Sequence, residues 1–276
     1  MKGSEMVPAC GVITLTSDFG LRDHYVGTMK GVMLRIHPEA RLIDVTHQIT
    51  AQDVLEASLV LDSGYRYFPA GTVHLVVVDP GVGSGRRPIL VAGNEHFFVG
   101  PDNGTFTGII EGDPSARAFE IVERCFLLPD MSDTFHGRDV FAPVAAFLSR
   151  GVAPEEFGPP VTDPCRLSLP VPRIWGDQIR GEVVHIDSFG NIVSNIARAD
   201  FERAVGVRRF RILINGKIID RIHRTYADQE RGRTLAIFGS SDLLEIAVAE
   251  GRAERRVGAG KGDTVLVEIE ELPRPR

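Results

Sequence analysis

A layered α/β domain with a largely parallel sheet, followed by a smaller all-β domain of barrel type, is the architecture the sequence predicts. Three observations carry it. In the N-terminal half, β-branched apolar runs alternate with stretches whose apolar residues recur at three and four, the pattern of strand–helix–strand units. Beyond residue 180, short β-rich runs recur between turn signals. Between the two parts, residues 153–173 hold six of the chain's 17 prolines, a density that excludes helix and sheet interior and reads as a linker. The expected boundaries are 1–165 for the α/β domain, 166–179 for the proline-rich linker and 180–276 for the β-barrel domain.

Residues 12–16 form the first strand, which breaks at Ser17-Asp18-Phe19-Gly20. Asp23 reads as the cap of a helix in which Tyr25, Val26, Met29, Met33 and Ile36 share a face before Pro38 stops it. Residues 41–46 are the next strand and 53–65 the next helix, with Leu55, Leu59 and Leu61 inward. The run at 73–78 has the length and composition of a strand buried on both faces. Residues 88–92 and 96–99, joined by a Gly93-Asn94-Glu95 turn, read as a hairpin. A turn at 100–104, a short helix at 105–111 and a compact apolar helix at 140–148 complete the domain. The later strands are expected at 181–187, 191–196, 208–214, 217–222, 234–238, 244–249 and 264–269, spacing that suits a small antiparallel sandwich or barrel. Arg203, Arg208, Arg209 and Arg211 read as a solvated strand face.

Composition narrows the function. With 43% hydrophobic and 25% charged residues over 276 positions, and a formal charge of −6, this is an ordinary globular chain without the basic runs of a nucleic-acid or anionic-membrane binder. Cys10, Cys125 and Cys165 show neither metal spacing nor a disulfide framework. The N-terminal residues lack the apolar core and cleavage site of a secretory leader, so a cytoplasmic location is expected.

The chemistry gathers around residues 71–104. Asp79 ends the buried strand at a Pro-Gly turn, and the carboxyl edge of an open α/β sheet is where ligands usually bind. A loop loosened by Gly81, Gly83 and Gly85 then leads to Arg86-Arg87, so a guanidinium can return to the carboxylate. Its GVGSG run is no phosphate cradle, because neither a third glycine opening a helix nor Gly-Lys-Ser/Thr follows. Asp18 occupies a second strand end, and His136 stands at the start of the helix near residue 140. Alone, that histidine reads more readily as a helix cap or a packing residue than as a functional group. Together, a carboxylate, a guanidinium and an imidazole can orient and deprotonate water without a metal. A metal-dependent phosphohydrolase using Asp18, Asp23 and His24 is the alternative, although their spacing is not diagnostic of a metal.

Six motifs stand in order along the chain: LTSDFG, IDVTH, FPAGTVHLVVVDPGVGSGRR, GPDNG, TFHGRDVFAP and IDSFGN. In them the sequence resembles the S-adenosyl-L-methionine (SAM) hydrolases that form adenosine, also called SAM hydroxide adenosyltransferases, relatives of the bacterial fluorinase and chlorinase. The resemblance implies an N-terminal α/β domain, a C-terminal β-barrel domain, no cofactor and no metal. It also implies a homotrimer whose sites lie between the N-terminal domain of one subunit and the C-terminal domain of its neighbour. Carried over by position, Asp79, Arg86 and His136 match the set of the water-using members, and Asp18 the acid that holds the ribose hydroxyls. Asp187 matches the acid near the methionine amine, Asn191 the adenine-binding Asn, and Ser240 the serine near the methionine carboxylate.

The departures favour water over halide. Gly137 stands where the fluorinase has a halide-binding serine, Asp79 where it has an aromatic residue, and Ser241 where the halogenases have an Arg. Two routes are open for the nucleophile. Asp79 and His136 can orient a water and receive its proton, with Arg86 fixing Asp79; or Arg86 favours hydroxide, with His136 as the proton's way out. The second route has weight because a neighbouring Arg lowers a carboxylate's pKa by roughly 1–3 units and makes it a poorer base. A non-catalytic SAM or adenosine binder would need Asp18 and the C-terminal loops but not Asp79, Arg86 and His136.

Overall fold

The structure is a computed structural model that describes residues 7–93 and 95–270. The leader reading of residues 1–6, Asn94 of the predicted hairpin turn and the tail of the predicted 180–276 domain lie outside the described residues. The chain divides into two compact units, Met1–Ser168 and Leu169–Arg276.

The first unit is built on seven strands: β1 (Val12–Ser17), β2 (Arg41–Thr46), β3 (Val73–Val77), β4 (Pro88–Ala92), β5 (Phe97–Pro101), β6 (Arg117–Glu120) and β7 (Pro160–Val161). Their order is β2-β1-β3-β5-β4-β6-β7. The first four in that order run parallel, and β4, β6 and β7 pair antiparallel. Helices α1 (Tyr25–Ile36), α2 (Val54–Gly64), α3 (Thr107–Gly112) and α4 (Ala142–Ser149) cover the sheet.

The central strand shows why the unit has three layers. Side chains alternate across a strand, so Val73, Leu75 and Val77 enter one core with Met29 and Met33 of α1 and Val144 and Leu148 of α4. Val76 and the following Val78 enter a second core with Ala57 and Leu61 of α2 and Ile109 of α3. Only a strand apolar on both faces can serve two cores, which is why 73–78 reads as an unbroken apolar run.

Several elements differ from expectation for physical reasons. Asp23 does not cap α1; His24 holds that position without a side-chain bond. The inward face of α2 is Ala57, Ser58 and Leu61, with Glu56 buried beside them, whereas Leu55 and Leu59 are half-buried. The helix expected at 140–148 starts earlier, as a π-helical turn at Gly137–Phe141 that runs into α4. The proline-rich stretch is not all coil: Pro160–Val161 adds an edge strand to the sheet, a position where a missing N–H does no harm, and Phe157 just before it is wholly buried.

In the second unit, β8 (Arg173–Trp175), β9 (Gln178–Ile186), β10 (Ile192–Ala197), β11 (Phe210–Ile214), β12 (Lys217–Ile219), β13 (Ile222–His223), β14 (Thr234–Phe238), β15 (Leu243–Val248) and β16 (Thr264–Ile269) form one sheet. It curls into a half-barrel around a core that includes Ile179, Ile192, Ile212, Ile246 and Val265. A short helix, α5 (Arg198–Val205), was not expected; Phe201 and Val205 pack its inner face, four residues apart. Arg203 therefore lies on a helix, paired with Asp200 at 2.5 Å, and Arg208 pairs with Asp177 at 2.5 Å, so the four arginines share no strand face.

Asp62 of α2 supplies a stability test. A Cβ on Gly108 of α3 would lie 2.2 Å from its Oδ2, and this close packing desolvates the carboxyl, whose pKa is pushed up to about 6. Because the folded value lies above the unfolded one, the favourable contribution is complete below about pH 4 and is lost as pH rises through about 6. Asp62→Asn should therefore raise the melting temperature relative to wild type at pH 8 and not at pH 4. Calorimetry at the two pH values checks this, and an equal difference at both would contradict it.

Candidate active site

In the parallel register Ser17 of β1 stands beside Val77 of β3, so Asp18 and Asp79 emerge from the carboxyl ends of adjacent strands. Each is held by the loops around it. Asp18 Oδ2 accepts from the Gln52 backbone N–H at 2.8 Å, and Gln52 has a positive φ of 66°, a strained conformation for a residue with a side chain. The end of β1 is pinned by buried His47 of the IDVTH motif: Nδ1 lies 2.8 Å from Ser17 Oγ and Nε2 3.0 Å from Asp44 Oδ1. Gly20 N–H donates to the His47 carbonyl at 2.7 Å. The end of β3 is tied by Asn103 of GPDNG, whose Nδ2 donates to the Val78 carbonyl at 2.9 Å.

Asp79, Arg86 and His136 come together as one hydrogen-bonded chain. Arg86 Nε donates to both Asp79 oxygens, at 2.9 and 3.1 Å, and Nη2 donates to Oδ2 as well. Nη2 also lies 2.9 Å from His136 Nδ1. The Arg86 and Asp79 side chains are only 9% and 7% exposed, and the guanidinium carbon sits 5.1 Å from the Phe141 ring centre. Arg86 Nη1 is buried with no partner among the described residues.

The glycine loop makes this return possible. Gly83 has φ +75°, and a Cβ there would lie 2.5 Å from the Asp133 carbonyl oxygen, so only glycine lets the loop press against the segment that carries His136. Arg87 serves a different purpose: Nε donates to buried Asp102 at 2.9 Å and Nη1 to Asp163 at 2.8 Å, clamping the loop's far end. Asp139, wholly buried, receives Ser132 N–H at 2.8 Å and Arg138 Nε at 2.5 Å, so the acid in TFHGRD shapes the loop. His136 directly precedes the π-helical turn, a local irregularity that recurs at functional sites.

Protonation follows from the geometry. A guanidinium only donates, so His136 Nδ1 accepts, and the neutral ring carries its proton on Nε2. Burial and the Arg86 charge hold the His136 pKa below its ordinary value, against the opposing pull of Asp79, Asp139 and Asp133. Gly137 is tightly enclosed: a Cβ would meet Met29 Sδ at 3.2 Å and the Phe135 and Phe19 rings at 3.3 Å.

In the second unit, Asp187, Asn191 and Ser240 line one cleft of about 790 Å³, with Phe189, Tyr226 and Glu245. Asp187 organises its own loop: Oδ1 accepts from Phe189 and Asn191 backbone N–H at 2.9 and 2.8 Å, and Oδ2 from Asn191 Nδ2 at 2.9 Å. Tyr226 and Glu245 were missed in the sequence reading. Glu245 looks like any polar residue on a β-strand, and nothing local signals that its side chain turns into the cleft.

Among the described residues, no three His, Cys, Asp or Glu side chains gather into a group able to hold a metal, Asp18, Asp23 and His24 included. No helix among them is long and apolar enough to cross a membrane.

An Asp/Arg/His chain at a parallel sheet's carboxyl edge and a half-barrel unit whose largely apolar cleft carries a few polar groups are the parts of a two-part α/β and β enzyme. Profiles of the SAM hydroxide adenosyltransferase N-terminal and C-terminal domains match residues 13–158 and 181–266. The chain belongs to the SAM hydroxide adenosyltransferase family. It is 38% identical over 261 residues to the (R)-S-adenosyl-L-methionine hydrolase of Salinispora tropica, covering 92% of this chain and 97% of that one. The hydrolase of the same name from Thermus thermophilus is 38% identical, over 89% and 95% of the two chains. A fluorinase of an Actinoplanes species is 29% identical, over 76% and 81%. A crystal structure of an uncharacterized conserved protein from Thermotoga maritima superposes with TM-score 0.87 at 36% identity, covering 92% of this chain and 99% of that one.

Replacing Arg86 by Gln removes one of the two influences that depress His136. The His136 pKa, followed by NMR of its ring protons, should rise towards the ordinary 6.5 in Arg86→Gln, and an unchanged value would show that the guanidinium does not face the imidazole in solution.

Proposed function

We propose that this protein hydrolyses S-adenosyl-L-methionine to adenosine and L-methionine by in-line attack of water or hydroxide on C5′ of the ribose. The observation that carries this reading is the Asp79–Arg86–His136 chain in a sequence 38% identical to proteins named as (R)-SAM hydrolases. The new O–C5′ bond forms as the C5′–S bond breaks, with its electron pair passing to sulfur. Methionine leaves as a neutral thioether and needs no acid. What remains demanding is a nucleophile held in line and stripped of bulk water, and positioning of this kind supplies large rate factors.

The residues divide that task. A carboxylate has about four acceptor sites, so Asp79 keeps capacity to accept a water O–H while Arg86 grips both its oxygens. Arg86 Nη1, buried without a partner among the described residues, is a donor for the nucleophile's oxygen and favours hydroxide over water. His136 donates through Nε2–H to the same oxygen. With Nδ1 held by Arg86, the ring has no vacant acceptor for a proton, so the hydroxide route is preferred to a histidine relay and the proton leaves to solvent. Asp18 takes the two ribose hydroxyls, Asn191 the adenine, and Asp187 and Ser240 the methionyl end. The active unit is a cytoplasmic homotrimer, each site shared by the N-terminal unit of one subunit and the C-terminal unit of its neighbour.

Purified protein incubated with SAM should yield adenosine and methionine in equal amounts without added halide. Asp79→Asn, which keeps an acceptor for the nucleophile beside Arg86, should lower kcat by about 10-fold, less than the roughly 100-fold or more of losing a general base, with KM within a few-fold of wild type and a rate that still rises with pH. A wild-type kcat in that variant removes Asp79 from the chemistry. For the shared site, co-assembled Asp79→Ala and Asn191→Ala subunits, each inactive alone, should regain part of the activity. Mixtures that stay dead would place each site within a single chain.

A further inference from the structure

Glu245 lies on β15 with its carboxylate in the cleft that holds Asp187, Asn191 and Ser240. The residue is only 9% exposed. Oε2 accepts from the Tyr226 hydroxyl at 3.1 Å; Oε1 has no hydrogen-bond partner among the described residues of this unit. Among the described residues neither Glu245 nor Asp187 forms an ion pair, although Arg and Lys residues are plentiful on the surface of this unit. Burial and the nearby Asp187 charge push the Glu245 carboxyl above its ordinary value, and burial together with Glu245 pushes the Tyr226 hydroxyl up to about 12.

A desolvated carboxylate beside a second one, with no cation, is costly to keep. The fold nevertheless makes room for it. A Cβ on Gly239 would fall 1.7 Å from Glu245 Oε1, so the backbone leading to Ser240 passes directly over the carboxylate, and any larger residue at 239 would displace it. Three N–H groups of its own loop take most of the about four acceptor sites of Asp187, leaving it one for a cation. Glu245 Oε1 is the more buried carboxylate oxygen left open in this cleft among the described residues.

We infer that Glu245 is a specificity-determining residue that receives the α-ammonium group of the amino-acid end of the substrate, with Tyr226 fixing the carboxylate and Asp187 adding charge alongside. An ammonium matches this arrangement: it offers three donors to separate acceptors, and charge-assisted bonds out of water are the strong ones. A sulfonium has no N–H to give. The inference rests on the SAM-hydrolase reading of the second-unit cleft.

The test is a cycle between Glu245→Gln and a SAM analogue in which the α-amino group is replaced by hydrogen, the sulfonium being kept. In wild type the analogue should show a KM about 10- to 100-fold above that of SAM, the scale of one hydrogen bond to a charged group. Glu245→Gln should raise the KM for SAM by a similar factor, leave the analogue almost unchanged, and leave inhibition by adenosine unaltered. Glu245→Asp, which keeps the charge, should retain part of the preference for SAM. Equal effects of Glu245→Gln on SAM and on the analogue, or no effect on either, would overturn the inference. Failure of wild type to release adenosine from SAM would instead sink the functional reading on which it rests.

Discussion

A guanidinium that is nine-tenths buried and bonded along two edges cannot be moved without stranding charge. Arg86 is in that position, with Asp79 on one edge and His136 on the other. Breaking a buried pair by removing one partner costs about 3–5 kcal/mol, so the three side chains hold one another in a single arrangement. That coupling decides the tautomer of His136, removes slack from Asp79 and leaves Nη1 as the one donor still to be used. The glycine loop, the Arg87 clamp and the π-helical turn all serve to deliver these groups to one place.

The sheet supplies the other half of the geometry. Parallel strands present their carboxyl ends together, and β1 and β3 are direct neighbours, so two acids far apart in the chain emerge side by side. Neither sits in the apolar layers, because each lies just past the last residue of a strand buried on both faces. The half-barrel uses a different device: hairpin loops carrying Asp187 and Ser240 border a cleft floored by strand residues.

Much of this was legible in the sequence where one residue type had one physical use. The unbroken run at 73–78 announced a doubly covered strand, and the acid–loop–arginine order announced the return of Arg86 to Asp79. Other features depended on partners distant in sequence. The π-helical start of the helix after His136, with Phe141 wholly buried at its end, leaves no mark in local propensity. Helix α5 left one faint sign, Phe201 and Val205 four residues apart, which β-rich surroundings obscured. The two adjacent arginines looked equivalent, yet Arg86 faces the site and Arg87 the clamp, because successive residues leaving a loop point opposite ways. Glu245 was invisible because its meaning lies in Gly239 and Tyr226, which approach it only once the strands have paired.

Gly137 carries a consequence for how this chemistry changes over evolutionary time. Met29, Phe135 and Phe19 already close around the place where a side chain would go. A serine at 137, which the resemblance gives to the fluorinase there, would press on sulfur and two rings at once. Those rings belong to a cluster with Tyr25, at 5.7 Å from Phe19 and 5.1 Å from Phe135. A halide pocket of the fluorinase kind is therefore not one mutational step away: the aromatic wall must first give, and intermediates with a loosened wall admit more water, the competitor they would need to exclude. Packing around a residue without a side chain thus closes one route, that through a serine at 137, between activities that share a fold.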